Sequence, residues 1–275
     1  MEYKVEKMLK KNSPLNSDQE INTECCHSIV DVFNQAVDVY ADKVAYINQK
    51  KLMSYCDVKQ LSENFAAYLQ NDLSIKKGQR IGLMCPNNLP FVVAMWGGIR
   101  AGGVLVNINP LYTSFELAHQ LNDAQVTTII IISTSTSILA EIAENTQINN
   151  IIVIHPNDLL NEEIVDNGTD NRLKKVVPFT QALKKGESLS FDAPKLTEDD
   201  LLFLQYTGGT TGLSKGAMLS HGNLMANILQ YEEHAKEYIS KGEETVITAI
   251  PMYHIFALMA NCIAYFSSIS RHWLR

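Results

Sequence analysis

"LQYTGGTTGLSKGAMLSHGN" runs from Leu204 to Asn223, and the reading of the rest of the chain follows from it. Glycines and hydroxyl side chains crowd its centre, directly behind an apolar run. A loop of this composition packs poorly and costs backbone entropy to order. As a surface turn it needs no further explanation. As a phosphate cradle it makes chemical sense. Gly208, Gly209 and Gly212 allow backbone N–H groups to converge on one concavity, where aligned dipoles hold an anion. Thr207, Thr210, Thr211 and Ser214 add hydroxyl donors, and Lys215 adds a mobile positive charge. Two common phosphate loops do not fit. The Walker pattern needs Gly before Lys and Ser or Thr after it, whereas Ser214 precedes Lys215 and Gly216 follows. The dinucleotide fingerprint needs G-x-G-x-x-G, and "GGTTG" lacks its first spacing. Physics alone leaves the cradle and the structural loop both open.

The flanks are those of an α/β protein. Residues 201–206 read as a strand before the loop and 217–219 as a short strand after it. Ser220 is placed to cap a helix whose face carries Leu224, Ile228, Tyr231 and Ala235. A further strand at 245–250 stops at Pro251. Upstream, 80–84 predicts a strand. Asn88 caps the next helix, Pro90 suits its first turn, and Gly102-Gly103 ends it. Strands follow at 104–106, 127–132 and 151–154, with a Thr113-x-x-Glu116 capping box opening the helix between the first two. Trp96-Gly97-Gly98 reads as helix packing. A further helix begins after His27, with Ile29, Val32, Phe33 and Ala36 on one stripe. This alternation predicts parallel-rich sheets sandwiched by helices. Residues 1–26 form a polar N-terminal segment, and 155–200 turn polar and acidic, as in a subdomain connection.

Composition closes off several functions. The chain has 275 residues, 46% hydrophobic and 19% charged, with net charge −7. No basic surface is available for nucleic acid. The 5 cysteines are odd in number and form no C-x-x-C, so neither a disulfide framework nor a metal site is expected. The N-terminus has no apolar h-region, and "TTIIIIS" at 127–133 is too short to span a bilayer. These features predict a cytoplasmic protein.

Three stretches carry a resemblance. "YTGGTTGLSKGAMLSHGNLMAN", "TAIPMYHIFALMANC" and "GQRIGLMCPNNLPFVVAMWGGIRAGGVLVNINPLYT" resemble the adenylate-forming (AMP-binding) acyl-CoA synthetases. Within that superfamily they are most similar to bacterial long-chain fatty acid–CoA ligases. The likeness covers nearly all of residues 27–265. It implies a two-step reaction, in which ATP and a fatty acid give an acyl-adenylate plus pyrophosphate and coenzyme A then takes the acyl group. It implies ATP contacts at Tyr206, Thr207, Gly208, Gly209, Thr210, Thr211, Gly212, Ser214, Lys215 and Gly216, with Mg2+ bridging the phosphates. Lys215 and His254 become the candidate catalytic residues, the first near the departing pyrophosphate and the second beside the acyl and adenylate pocket. Without the resemblance, His254 reads as an ordinary helix-start histidine. His221 reads as structural. Many relatives carry Pro where Ser214 stands. Peripheral contact with the inner membrane face is also implied.

The resemblance further implies that 27–275 is a partial AMP-binding domain, the front half of a longer ligase. The adenine-binding segment, the acidic magnesium ligand, the ribose aspartate and the C-terminal domain with its catalytic lysine are not in this sequence. A truncated, frameshifted or split gene product is therefore expected, inactive alone. The alternatives are a non-catalytic nucleotide- or acyl-binding remnant, or an adenylating half-enzyme for an aryl or amino acid completed by a second polypeptide. "SSISRHWLR" at 267–275 has no cap and no family-like continuation. The apolar helix before it, with Phe256, Leu258, Met259, Ile263, Tyr265 and Phe266, is thus expected to lie uncovered and to weaken the fold.

Overall fold

The computed structural model describes residues 26–160, 168–207, 213–235, 244–268 and 270–274. Local signals start most helices. In α1 (Ile29–Tyr40) the Ser28 side chain accepts from the Asp31 N–H, and the Asp31 carboxylate accepts from the Ser28 N–H. This reciprocal cap sets a stripe of Ile29, Phe33, Ala36 and Val37 into the core. The hairpin β1 (Val44–Asn48) and β2 (Lys51–Ser54) leads into α2 (Tyr55–Asn71), capped in the same way by Ser54 and Asp57.

The next stretch builds the larger sheet. After β3 (Arg80–Met84), the Asn88 side chain accepts from the Phe91 N–H at 2.8 Å and opens α3 (Leu89–Arg100), buried along its whole length. Gly102 ends this turn with φ +84°, a conformation that favours glycine. Then follow β4 (Val104–Asn107), α4 (Ser114–Asp123) with the Thr113–Glu116 capping box, β5 (Thr128–Ile132), α5 (Thr136–Ile142) and β6 (Asn150–Ile154). The sheet continues with β7 (Val176–Pro178), β8 (Leu201–Thr207) and β9 (Lys215–Ser220), with α6 (Phe179–Gly186) between the first two. Its strand order is β7-β6-β5-β3-β4-β8-β9, and every neighbouring pair is parallel except β8–β9. Two cores lie against it, one centred on Trp96, Phe91 and Phe203 and the other on Ile129, Ile131, Leu117 and Leu121. Covering on both faces is why β5 reads as an unbroken isoleucine run rather than an alternation.

The chain then forms α7 (His221–Ala235) and β10 (Glu244–Thr248). It passes through α8 (Ile255–Ala257), a π-helix (Leu258–Ala264) and α9 (Tyr265–Ser268) into β11 (Ser270–Leu274). A second sheet has the order β10-β11-β1-β2, with β11 parallel to both β10 and β1.

Two features depart from the sequence reading. Within 155–200, β7 extends the large sheet and α6 packs against α2, burying Phe179, Ala182 and Leu183. Gly186 sits so close to the Asn64 backbone carbonyl that a Cβ there would collide with it. Gly186→Ala should therefore force the two helices apart and cost about 1–3 kcal/mol in urea unfolding.

The second departure is a correction. The helical segment after His254 is largely covered. Leu258, Cys262, Ile263, Ala264 and Phe266 are buried, Met259 and Tyr265 are half-buried, and Phe256 is exposed. What covers it is α1 and β1, together with β11, formed by the stretch that has no cap and no family-like continuation. His272 and Leu274 are buried on β11. Among the described residues no helix is long and apolar enough to cross a membrane.

Candidate functional site at the carboxyl edge of the large sheet

Strands β3, β4 and β8 are parallel neighbours and end at one edge. The chain steps from β3 outward to β4 and then returns to β5 on the other side of β3. Such a reversal opens a crevice beyond the carboxyl ends of the strands, where ligands of open α/β sheets bind. The glycine loop leaves β8 at this edge, one strand from the reversal. Gly208, Gly209, Thr210, Thr211 and Gly212 lie outside the described residues.

The two roots of the loop are described. Thr207 pairs with Lys215 and Tyr206 with Gly216 in the antiparallel β8–β9 ladder. Both Thr207 and Lys215 are exposed. A side chain at Gly216 would come within 2.9 Å of the Tyr206 ring, so the ring needs glycine opposite it. The Tyr206 phenol donates to the Asp123 carboxylate. Burial, and next that bond, push the phenol pKa well up, so it stays protonated as the donor. Ser214 offers its backbone carbonyl to His119 Nε2 at 3.0 Å, and since a carbonyl only accepts, the imidazole donates.

Side-chain alternation sorts the rest by face. Leu204 and Tyr206 join the core that holds Leu117 and Leu121 of α4. Gln205 therefore faces the other way. Its Nε2 donates to the Tyr253 carbonyl at 3.0 Å, and its Oε1 accepts from Asn107 Nδ2 at 3.2 Å. Thr207 and its partner Lys215 share the Gln205 side of the sheet, the side that carries the turn at 251–254. Asn87, beyond β3, fixes that turn. It donates to the Thr248 and Ile250 carbonyls at 3.0 Å each and accepts from the Met252 N–H at 2.7 Å.

His254 ends this turn. It is exposed, and its Nδ1 accepts from the Phe256 N–H at 3.3 Å as the cap of α8. The residues that follow line an apolar cavity of about 710 Å³ with Tyr231, Val246, Met259 and Tyr265. A larger cavity of about 900 Å³, beside Arg100 and Thr197, opens at the amino edge, away from the loop. His221 belongs to neither. Its Nδ1 accepts from the Ile29 N–H at 3.1 Å, and burial lowers its pKa to about 4.

Among the described residues the carboxyl edge brings together the Lys215 cation, the Thr207 hydroxyl and hydrogen-bonding amides, a donor set that suits a phosphate. No group of three or more His, Cys, Asp or Glu side chains among the described residues could hold a metal ion. Asn87, Asn107 and Gln205 were not singled out from the sequence. Their signal is an amide within, at the end of or just beyond an apolar strand.

Residues 33–271 match the family described as AMP-binding enzyme. The chain is 41% identical to a long-chain-fatty-acid–CoA ligase of Escherichia coli O6:H1, over 92% of this chain and 47% of the relative. It is 31% identical to the ligase of that name from Bacillus subtilis, over 80% of this chain and 41% of the relative. Among solved structures it resembles a long-chain-fatty-acid-CoA ligase from Archaeoglobus fulgidus, with a TM-score of 0.74 at 25% identity, covering 90% of this chain and 47% of that one. It shares its fold with an anthranilate CoA ligase solved with anthranoyl-AMP, with a TM-score of 0.74 at 20% identity, covering 94% of this chain and 46% of that one. The chain thus spans about half the length of the curated relatives it matches.

Proposed function

Because the chain belongs to the AMP-binding enzyme family, we propose that it carries the phosphate-binding and acyl-side part of a long-chain fatty acid–CoA ligase site. The observation that carries this reading is Lys215. The β8–β9 ladder sets it opposite Thr207 at the base of the glycine loop, at the carboxyl edge of a parallel sheet.

In the proposed reaction a fatty carboxylate oxygen attacks the α-phosphorus of ATP. The P–O bond to the β-phosphate breaks and pyrophosphate leaves. Carboxylates are poor electrophiles, and the mixed anhydride supplies a good leaving group. The coenzyme A thiol then loses its proton to solvent and attacks the acyl carbon, the bond from that carbon to the phosphate oxygen breaks, and AMP leaves. Lys215 neutralises charge gathering on the pyrophosphate, the loop orients the phosphates, and the Thr207 hydroxyl adds a donor. Magnesium, when bound, would offset the charge of the phosphates beside Lys215. The apolar cavity behind His254 would take the acyl chain, which favours an aliphatic acid. The remaining segments of the relatives' length, on the same or a second polypeptide, would complete the reaction.

Calorimetric titration with pyrophosphate tests the reading. Lys215→Ala should weaken binding about tenfold or more, as expected for a lost charge-assisted contact. Equal affinity of the two proteins would overturn it.

A further inference from the structure

We infer that α4 sets where Lys215 stands, with His119 and Asp123 as positioning residues; this rests on reading Lys215 as a phosphate contact. One helix reaches both roots of the loop. Tyr206, the residue before Thr207, gives its hydroxyl hydrogen to Asp123. Ser214, the residue before Lys215, has its carbonyl held by His119 Nε2 at 3.0 Å. His119 and Asp123 are four residues apart, so they lie on one helix face a turn apart.

The helix is itself fixed. Leu117 and Leu121 are buried in the core beneath it. Gln120 Nε2 donates to the Asn107 carbonyl at the end of β4 at 2.9 Å. Position is therefore passed from the core through α4 and two side chains to the neighbours of Thr207 and Lys215. Gly216 completes the device, because any side chain there would push the Tyr206 ring from its course to Asp123.

Cross-strand pairing already closes the hairpin. Among the described residues, however, β9 is the edge of the sheet and pairs on one side only. Such a strand end is free to swing about its single ladder. Holding the Ser214 carbonyl fixes the peptide plane that carries the Lys215 N–H, and so fixes the base from which the lysine side chain reaches. The Tyr206 phenol, bonded to Asp123, ties the side chain next to Thr207 to the same helix. The product is a cation and a hydroxyl held at fixed spacing before a ligand arrives, which lowers the ordering cost of binding one.

The test is pyrophosphate titration of the wild type, His119→Ala, His119→Gln, Tyr206→Phe, Asp123→Ala, the Asp123→Ala/Tyr206→Phe pair and Lys215→Ala, with a Tm for each. His119→Ala and Tyr206→Phe should each weaken binding about three- to tenfold, with Tm held within about 4 °C of wild type. His119→Gln, which keeps a donor, should recover most of the loss. The Asp123/Tyr206 pair should bind no more weakly than its worse single member, because both remove one bond. Wild-type affinity in His119→Ala and Tyr206→Phe, with Lys215→Ala weakened, overturns this inference and leaves the Lys215 reading standing. So does a Tm that falls in step with affinity, because that marks a merely structural role. Equal affinity of Lys215→Ala and wild type overturns the Lys215 reading and this inference with it.

Discussion

Phe266→Ala should cost the fold about 3–5 kcal/mol, read as a lowered urea midpoint with an unchanged slope. The reason is position. Phe266 is 1% exposed and is the hub of an aromatic cluster. Its ring centroid lies 4.5 Å from that of Tyr55, 5.2 Å from Trp96 and 5.3 Å from Phe33. The Tyr55 hydroxyl also donates to the Phe266 carbonyl at 3.2 Å. These partners come from α1, α2 and α3, so truncation opens a cavity where four elements meet. Such a loss is a large fraction of the roughly 5–15 kcal/mol that usually holds a domain together. The opposite view, in which the segment around Phe266 hangs uncovered, predicts almost no change for the same substitution. A midpoint shift worth less than about 1 kcal/mol would restore that view.

The elements that could be read from sequence were those whose signals are local. The strand at 80–84, the Asn88 cap, the Thr113–Glu116 box and the Ser220 start all depend on residues within four positions of one another. β11 has no such signal. Its centre reads Arg271-His272, and it becomes a strand because β1 and β10, distant in sequence, supply partners on both sides. β7 was hidden by its three-residue length and by the polar stretch before it. α6 did carry a legible stripe in Phe179, Ala182 and Leu183, masked by the polar composition of 155–200. The same division runs through the candidate site. Thr207, Ser214, Lys215 and Gly216 are neighbours in the chain and were legible together. The partners of the loop's roots, His119 and Asp123, lie nearly a hundred residues away, and nothing in their local pattern distinguishes them from an ordinary helix surface.

Acidification from about pH 6.5 to about pH 4 should destabilise the protein by several kcal/mol, through two buried histidines. Burial lowers the pKa of His221 to about 4, outweighing the opposing pull of Asp200 and Asp31, while Lys77 lowers it further. Burial alone lowers that of His272 to about 3. Both are depressed from an ordinary value of 6.5. Between the ordinary and the folded pKa, the unfolded chain binds a proton that the folded chain refuses. Stability therefore rises with pH across this window and falls as pH is lowered through it. For His221 the window closes near pH 4, and the loss amounts to about 3 kcal/mol. Depressed carboxylates such as Asp170, held at about 2 by its bond to Arg172, begin to titrate only near the bottom of this range. The upper part of the range therefore belongs to the histidines, opposed only by Asp158 among the shifted carboxyls of the described residues, since burial raises its pKa and lets the folded chain take up that proton earlier. His221→Asn should keep an acceptor for the Ile29 N–H while removing the titration. Its stability should fall less steeply than wild type between about pH 6.5 and about pH 4.5. His272→Phe should flatten the profile too, and it should also stabilise at neutral pH. Neither ring nitrogen of His272 has a hydrogen-bond partner among the described residues, and the ring stacks on Tyr46 with centroids 4.9 Å apart. An aromatic hydrocarbon there would keep the stacking and remove two unsatisfied buried polar atoms, worth about 1–3 kcal/mol. Urea unfolding at a series of pH values decides it. Parallel profiles for wild type and both variants would show that these imidazoles are hydrated in solution, and that the acid sensitivity lies elsewhere.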